Sequence, residues 1–308
     1  HLLLTDGEIT DAAAVSKALR EAARRAGVAS VNAALPESKS YLFETEVEGT
    51  DKAQWRTEVE QHLDELIPLP PAETAFDILS VGKAENGKEL VAGVGFARRL
   101  RDVTLAAFDD AGLTVRSLEG ETFAMARALL PDGDESTALL IDVGKTTTKL
   151  AVVQARIPRF ATTIAIGGEA FTIAVQKHFG VTEEEARRVK AERGIVPAPG
   201  NENYLGAMLS TVSAIRDEIA KHLDYWQSRA AHAGSHEPVI KVILAGGNAS
   251  LRGLPEYLEG SLGLPVTPGD VFTNLASRDY WLPDLDYTES LAYATAIGLA
   301  LRDRDASV

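Results

Sequence analysis

The chain has no cysteine, so disulfides and thiolate metal sites are excluded. It is also short of positive charge. Lys and Arg number 31 against 45 Asp and Glu, a formal net charge of -14. Nucleic-acid affinity comes mostly from cations on phosphates, and adsorption to anionic lipid needs the same sign of charge. Both are unexpected here. No apolar run approaches the ~20 residues of a membrane span. The six His residues show no HExxH-like spacing, so a structural zinc is not expected. Low-complexity tracts and solenoid repeats are absent. The first residue is His1 rather than Met, and no signal-peptide pattern follows. "HLLLTDGEIT" reads as the middle of something, with an upstream segment expected before it. What is present is 308 residues with 45% hydrophobic content, enough for two domains or one bilobal molecule with a substantial core.

Strands and helices alternate along the chain. Asp11 can cap a helix over 12–26 that stops at Gly27. "VNAALPE" (31–37) and "YLFETEVEG" read as strands. Trp55, Val59, Leu63 and Leu66 share one helical face, and "IPLPP" closes that helix. "FDILSVGK" and "ELVAGVGF" form a hairpin around the polar "AENGK". Residues 97–111 are helical and stop at Gly112; a second helix, "EGETFAMARALL", comes after "TVRSL". The acidic loop "PDGDES" (131–136) is a lobe boundary. Beyond it come a strand in "FATTIAI" and a charged helix over 183–193 with a Thr182/Glu185 capping box. A long helix over 204–232 carries an apolar stripe from Met208 to Leu223. "VIKVILAGG" is a buried strand, "SLRGLPEYLEGSLG" a short helix and "ESLAYATAIGLAL" a small-residue helix. This is an α/β pattern with layered sheets.

Four stretches carry chemistry. In "LLIDVGKTTTKLAVV" (139–153) a strand ends at Asp142 and turns sharply through Gly144. Such a turn can aim several backbone N–H groups at an anion. Gly144 allows close approach, Lys145, Thr146, Thr147 and Thr148 add donors, and Asp142 can hold Mg²⁺ through its waters. An ordinary β-hairpin fits the same residues. It is not a P-loop, since Leu139 stands where that motif needs its first glycine. "LAGGNASLRGL" (244–254) places Gly246, Gly247 and Asn248 between a buried strand and a helix, where a planar ligand can lie against the backbone. "AIGGEAFT" (165–172) ends a strand on Gly167 and Gly168. Glu218, beside Lys221 on the long helix, is the fourth signal, with a solvated face as its plain alternative.

In this order the motifs resemble the actin-like ATPase superfamily. Residues 139–153 resemble its second phosphate hairpin, and "LAGGNASLRGL" its adenosine motif. "EGETFAMARAL" and "AYATAIGLAL" look like its two connecting segments. Within that superfamily, "AALPESKSYLFETEV", "LIPLPPAETAFDILSV", "AGLTVRSLEGETFAMARALL" and "AIGGEAFTIAVQKHFGVTEEEARRVK" are similar to the type IV pilus assembly protein PilM family, over nearly the whole chain. The resemblance implies an actin-like (ribonuclease H-like) bilobal α/β fold with a subdomain inserted in the first lobe, as in FtsA. The first lobe would take 1–37 and 111–137, with 266–308 returning to it. The inserted subdomain would be 38–110 and the second lobe 138–265. It implies ATP and Mg²⁺ as cofactors, with Gly144, Lys145, Thr146, Thr147, Gly167, Gly168, Glu218, Lys221, Gly246, Gly247 and Asn248 around the nucleotide and Asp142 on the metal. Turnover would be weak or absent, and no residue is assigned as catalytic. Glu119 and Glu121, at the first connecting segment, have a helix-start role as the plainer reading. The implied role is a cytoplasmic adaptor at the inner membrane that takes the N-terminal tail of a PilN-like protein, with pilus motor ATPases and further PilM copies as other contacts.

Two departures stand out. The family's first phosphate hairpin, a D-x-G-S-like segment, is not in this sequence, which would impair nucleotide binding. Lys145 stands where a small or neutral residue is expected. It can pair with a γ-phosphate, swing into solvent, or fill the nucleotide's space. Two other functions stay open: a small-metabolite kinase of the same superfold, and an FtsA-like filament former. The closing "LRDRDASV" shows no amphipathic membrane helix, which weighs against self-anchoring.

Overall fold

The computed structural model describes residues 3–5, 7–232, 236–275 and 284–305. The chain forms two compact units, His1–Ala124 with Arg302–Val308, and Met125–Leu301.

The first unit opens with the short strands β1 (Leu4–Thr5) and β2 (Glu8–Ile9) and helix α1 (Ala12–Ala26). Asp11 accepts from the Ala14 amide at 2.9 Å, and Gly27 ends α1 in the left-handed region at φ 68°, the expected caps. Next come β3 (Ser30–Leu35), β4 (Tyr41–Val47), α2 (Lys52–Gln61) and α3 (Leu63–Leu66), then β5 (Thr74–Lys83), β6 (Glu89–Ala97), α4 (Arg98–Asp110) and β7 (Thr114–Gly120). β3 and β7 pair in parallel, while β4, β6 and β5 form a separate antiparallel sheet with β6 central. The single helix expected through Trp55–Leu66 breaks at His62, whose N–H turns back to the Val59 carbonyl. The break keeps Val59, Leu63 and Ile67 in one core with Phe43, Ile78 and Val91. "TVRSL", left unassigned by its sequence, is the strand β7.

α5 (Glu121–Leu129) leads into the second unit. There β8 (Thr137–Val143), β9 (Thr148–Gln154) and β10 (Ile157–Ile164) form an antiparallel meander. Helices α6 (Gly168–Phe179), α7 (Glu183–Arg193) and α8 (Glu202–His232) follow, then β11 (Lys241–Ala245), α9 (Leu254–Leu262), β12 (Val266–Pro268), α10 (Tyr287–Ser290) and α11 (Ala294–Asp305). The sheet order is β10-β9-β8-β11-β12, with β11 parallel to both neighbours. β8 and β11 are apolar nearly throughout because they are covered on both faces. Leu139, Leu140, Ile141, Val242 and Leu244 are each at most 1% exposed, in one core with Phe171, Met208, Val212, Ile219 and Trp226. The apolar stripe of α8 therefore faces the sheet. The α7 capping box forms as expected, with Thr182 and Glu185 capping each other's backbone.

Of the sequence readings, "HLLLTDGEIT" and "LRDRDASV" fall partly outside the described residues.

Candidate nucleotide site

β8 and β11 are adjacent parallel strands, with Ala245 opposite Asp142. Their C-terminal ends therefore finish side by side, the place where open α/β sheets hold ligands. The turn after β8 runs through Gly144–Thr147 and closes with the Gly144 amide on the Thr147 carbonyl at 3.0 Å. Among the described residues, the N–H groups of Lys145, Thr146 and Thr147 make no hydrogen bond. Three successive unused donors at a tight turn are the arrangement that can bind an anion. The Gly247 N–H is also unused, whereas those of Gly246 and Asn248 bond to the Leu291 and Val143 carbonyls at 2.9 and 3.1 Å. Asp142, Gly144, Lys145, Gly246, Gly247 and Asn248 all line one cavity of about 570 Å³.

The glycines divide by purpose. Gly246 has φ +89°, and a Cβ there would lie 2.2 Å from Asp142 Oδ1. A Cβ on Gly167 would meet the Lys145–Thr147 backbone at 2.7 Å, and one on Gly168 would meet the Asn248 side chain at 2.1 Å. These three glycines let β11, α6 and the hairpin close against one another. The Gly168 and Glu169 amides then donate to the Gly144 and Lys145 carbonyls at 2.9 and 2.8 Å, so the start of α6 braces the hairpin. Gly144 serves the turn itself, since a Cβ would come within 2.9 Å of the Thr147 carbonyl. Gly247 is different: its nearest neighbour would be Ala292 Cβ at 3.8 Å. Its missing side chain leaves open space in the cavity.

The charges are nearly balanced. Lys145 Nζ lies 3.8 Å from Glu169 and is 67% exposed, so it leans to solvent and a surface carboxylate. Asp142 faces Lys149 Nζ at 3.5 Å. Arg187 bonds Glu183, one turn back on α7. Lys190, further along α7, donates to two neutral acceptors among the described residues: Asn248 Oδ1 at 2.8 Å and the Gly168 carbonyl at 3.2 Å. Burial beside the Arg187 cation pushes its ammonium down to about 8. Asn248 is thus a hub, since its Nδ2 also donates to the Gly144 carbonyl at 2.9 Å. Lys190 and Arg187 line the cavity but were not singled out from the sequence, where "EEEARRVKAER" reads as a solvated helix. The missed signal is positional: Lys190 falls two turns along a capped helix whose start is fixed at Thr182.

Thr146 and Thr147 lie on the hairpin tip, and Thr148 Oγ1 donates to the Ile166 carbonyl at 2.8 Å. Glu218 and Lys221 are elsewhere. They face each other at 3.4 Å on the exposed side of α8 and are not among the cavity's lining residues. Their pairing follows from the three-residue helical spacing alone. In the first unit, Glu121 accepts from the Glu37 amide at 2.9 Å and Glu119 bonds Arg302, so both carboxylates tie backbone and helix ends together. Among the described residues no group of three or more His, Asp or Glu is placed to hold a metal; the carboxylates lining the cavity are Asp142, Glu169 and Glu183.

The family model for the type IV pilus assembly protein PilM matches residues 2–304. The chain belongs to the PilM family. The fold agrees. A solved "PilM-PilN type IV pilus biogenesis complex" is similar at TM-score 0.78 and 21% identity, covering 97% of this chain and 88% of that one. MreB5 of Spiroplasma citri bound to ADP is similar at TM-score 0.60 and 14% identity, covering 99% and 79%. The ethanolamine utilization protein EutJ from Carboxydothermus hydrogenoformans follows at 0.50 and 17%, covering 98% and 78%. The expected actin-like α/β fold and PilM-type architecture are therefore present in this chain. No helix among the described residues is long and apolar enough to cross a membrane.

Proposed function

We propose that this PilM-family protein is a nucleotide-binding adaptor of type IV pilus machinery, taking the N-terminal tail of a PilN-like inner-membrane protein. The observation that carries the nucleotide part is a set of unused N–H donors beside one cavity: Lys145 and Gly247 line it, and Thr146 and Thr147 continue the same turn. Oriented amides hold phosphate without any side-chain cost. Gly247 leaves room for a base or ribose against the backbone, and Lys190 supplies a cation that pairs with no carboxylate among the described residues. Asp142, at the end of β8, fits Mg²⁺, which keeps most of its waters and takes one or two carboxylates plus phosphate oxygens. Its ion pair with Lys149 is the contact such a cation displaces. The bound ion would offset phosphate charge. ATP is the expected nucleotide, with weak or absent turnover.

The PilN part rests on family membership and on the solved complex of that name. Recruitment to the cytoplasmic face of the inner membrane follows from it, because such a partner supplies the anchor. Residues 38–110 would be the inserted subdomain, with the β4-β6-β5 sheet as its body. The test is calorimetry with Mg-ATP and with a synthetic PilN-like N-terminal peptide. Saturable binding of the peptide is expected, and Asp142→Ala is expected to weaken Mg-ATP while leaving the peptide unchanged. Failure of every such tail to bind sinks the adaptor reading; equal Mg-ATP affinity in the variant sinks the site.

A further inference from the structure

An open sheet edge presents unpaired N–H and C=O groups, and proteins that stay apart blunt such edges with charge, proline or bulges. Most edges here are blunted. β4 carries Glu44 and Glu46, β5 carries Asp77 and Lys83, and β7 carries Arg116 and Glu119. β12 is three residues long and ends at Pro268. β10 is protected only at its beginning. It pairs only with β9, and no strand lies on its outer side among the described residues. Pro158, the buried Arg159 and a register shift between Pro158 and Phe160 interrupt that beginning. The remainder, Phe160, Ala161, Thr162, Thr163 and Ile164, holds no charge and no proline, and β-branched residues dominate it. β3 is uncharged too, but its Asn32 already accepts from the Ser117 hydroxyl of its partner strand β7. Beside β10 lies an aromatic shelf: Phe160 sits 5.6 Å from His222 and 6.0 Å from Tyr225 of α8, and Tyr225 is half exposed.

We propose that β10 is a self-association edge, pairing antiparallel with β10 of a second copy about a two-fold axis through Thr162. The register sets Phe160 against Ile164, Ala161 against Thr163, and Thr162 against its own copy. Two five-stranded sheets become one sheet of ten.

A second copy is the occupant because the edge is self-complementary, as an isologous contact requires. No position faces a like charge, which directly opposed strands would penalise. The same pairing of β4 would set Glu44 and Glu46 of two copies close together. A charged extended peptide finds no counter-charge along residues 160–164. Each copy carries -14, so the uncharged edge is also where two copies meet with least repulsion, and added salt strengthens the contact. A five-residue edge with one aromatic shelf is a small interface, so the association is weak and transient.

Sedimentation equilibrium of the full chain tests this. A monomer–dimer equilibrium that shifts toward dimer with concentration and with salt is expected. Thr162→Lys and Thr162→Glu should each leave monomer only, while an equimolar mixture of the two should recover the dimer, because opposite charges then face each other on the axis. Circular dichroism and Mg-ATP affinity of both variants should match the parent. The chain has no cysteine, so Thr162→Cys adds a single thiol, and mild oxidation should yield a disulfide-linked dimer. A chain that is monomeric at every concentration, a dimer that both charged variants retain, or a dimer that Thr162→Cys does not cross-link would each overturn the proposal.

Discussion

Gly246 and Gly247 are neighbours with opposite reasons to be glycine. Gly246 holds a left-handed backbone against Asp142, so Gly246→Ala combines strain with a clash at 2.2 Å. A loss of roughly 2–4 kcal/mol in unfolding free energy is expected, read by urea denaturation. Gly247→Ala meets nothing closer than 3.8 Å. Its melting temperature should hold while Mg-ATP affinity falls, because the methyl enters the cavity. Lys190 makes a second residue-scale case. Its folded pKa is lowered to about 8 from an ordinary 10.5. Between those values the unfolded chain holds more protons than the folded one, so this group makes stability rise with pH across that window. Below it, the desolvated cation costs stability. Lys190→Met should therefore stabilise the ligand-free protein at pH 7, with the gain fading above pH 10, while anion binding weakens at pH 7. Thermal melts at both pH values, with and without nucleotide, check the sign.

Among the elements, α7 shows how a cap places a functional side chain. Thr182 and Glu185 fix its first turn, and Lys190 follows at a set rotation. Hydrogen bonding from the Thr182 backbone and hydroxyl holds the Glu185 carboxyl below its ordinary value, so the box is complete above the usual carboxylate range and is lost as pH falls through the lowered value. Thr182→Ala should cost about 1 kcal/mol of stability and a modest part of nucleotide affinity. The capped helices α1 and α7 and the β8–β9 hairpin were legible because their signals are local: a short polar cap, a 3.6-residue stripe, or two apolar runs around a glycine. The split of α2 from α3 was not, since Val59, Leu63 and Ile67 answer to a core built from distant strands. Glu218 and Lys221 matched a helical motif, yet the face of α8 they occupy is set by the sheet that takes Met208, Val212 and Ile219.

For the molecule as a whole, the second unit contains every residue of the cavity. Hydrogen exchange should show this. Mg-ATP should slow exchange at the β8–β9 turn, the start of α6 and the Gly246–Asn248 turn, with β4, β5 and β6 as an internal reference. Equal protection across both units would contradict a site confined to the second. The sequence alone determined the alternation of elements, the caps, the acidic surface and the glycine turns, because each depends on residues close in the chain or on composition. Only the tertiary structure decided which glycines serve packing and which leaves space for a ligand, and that Lys190 belongs to the cavity. It also decided that the aromatic flank and the uncharged stretch of β10 share an edge. Those facts depend on groups far apart in sequence, whose distances exist only once parallel β8 and β11 bring their ends together.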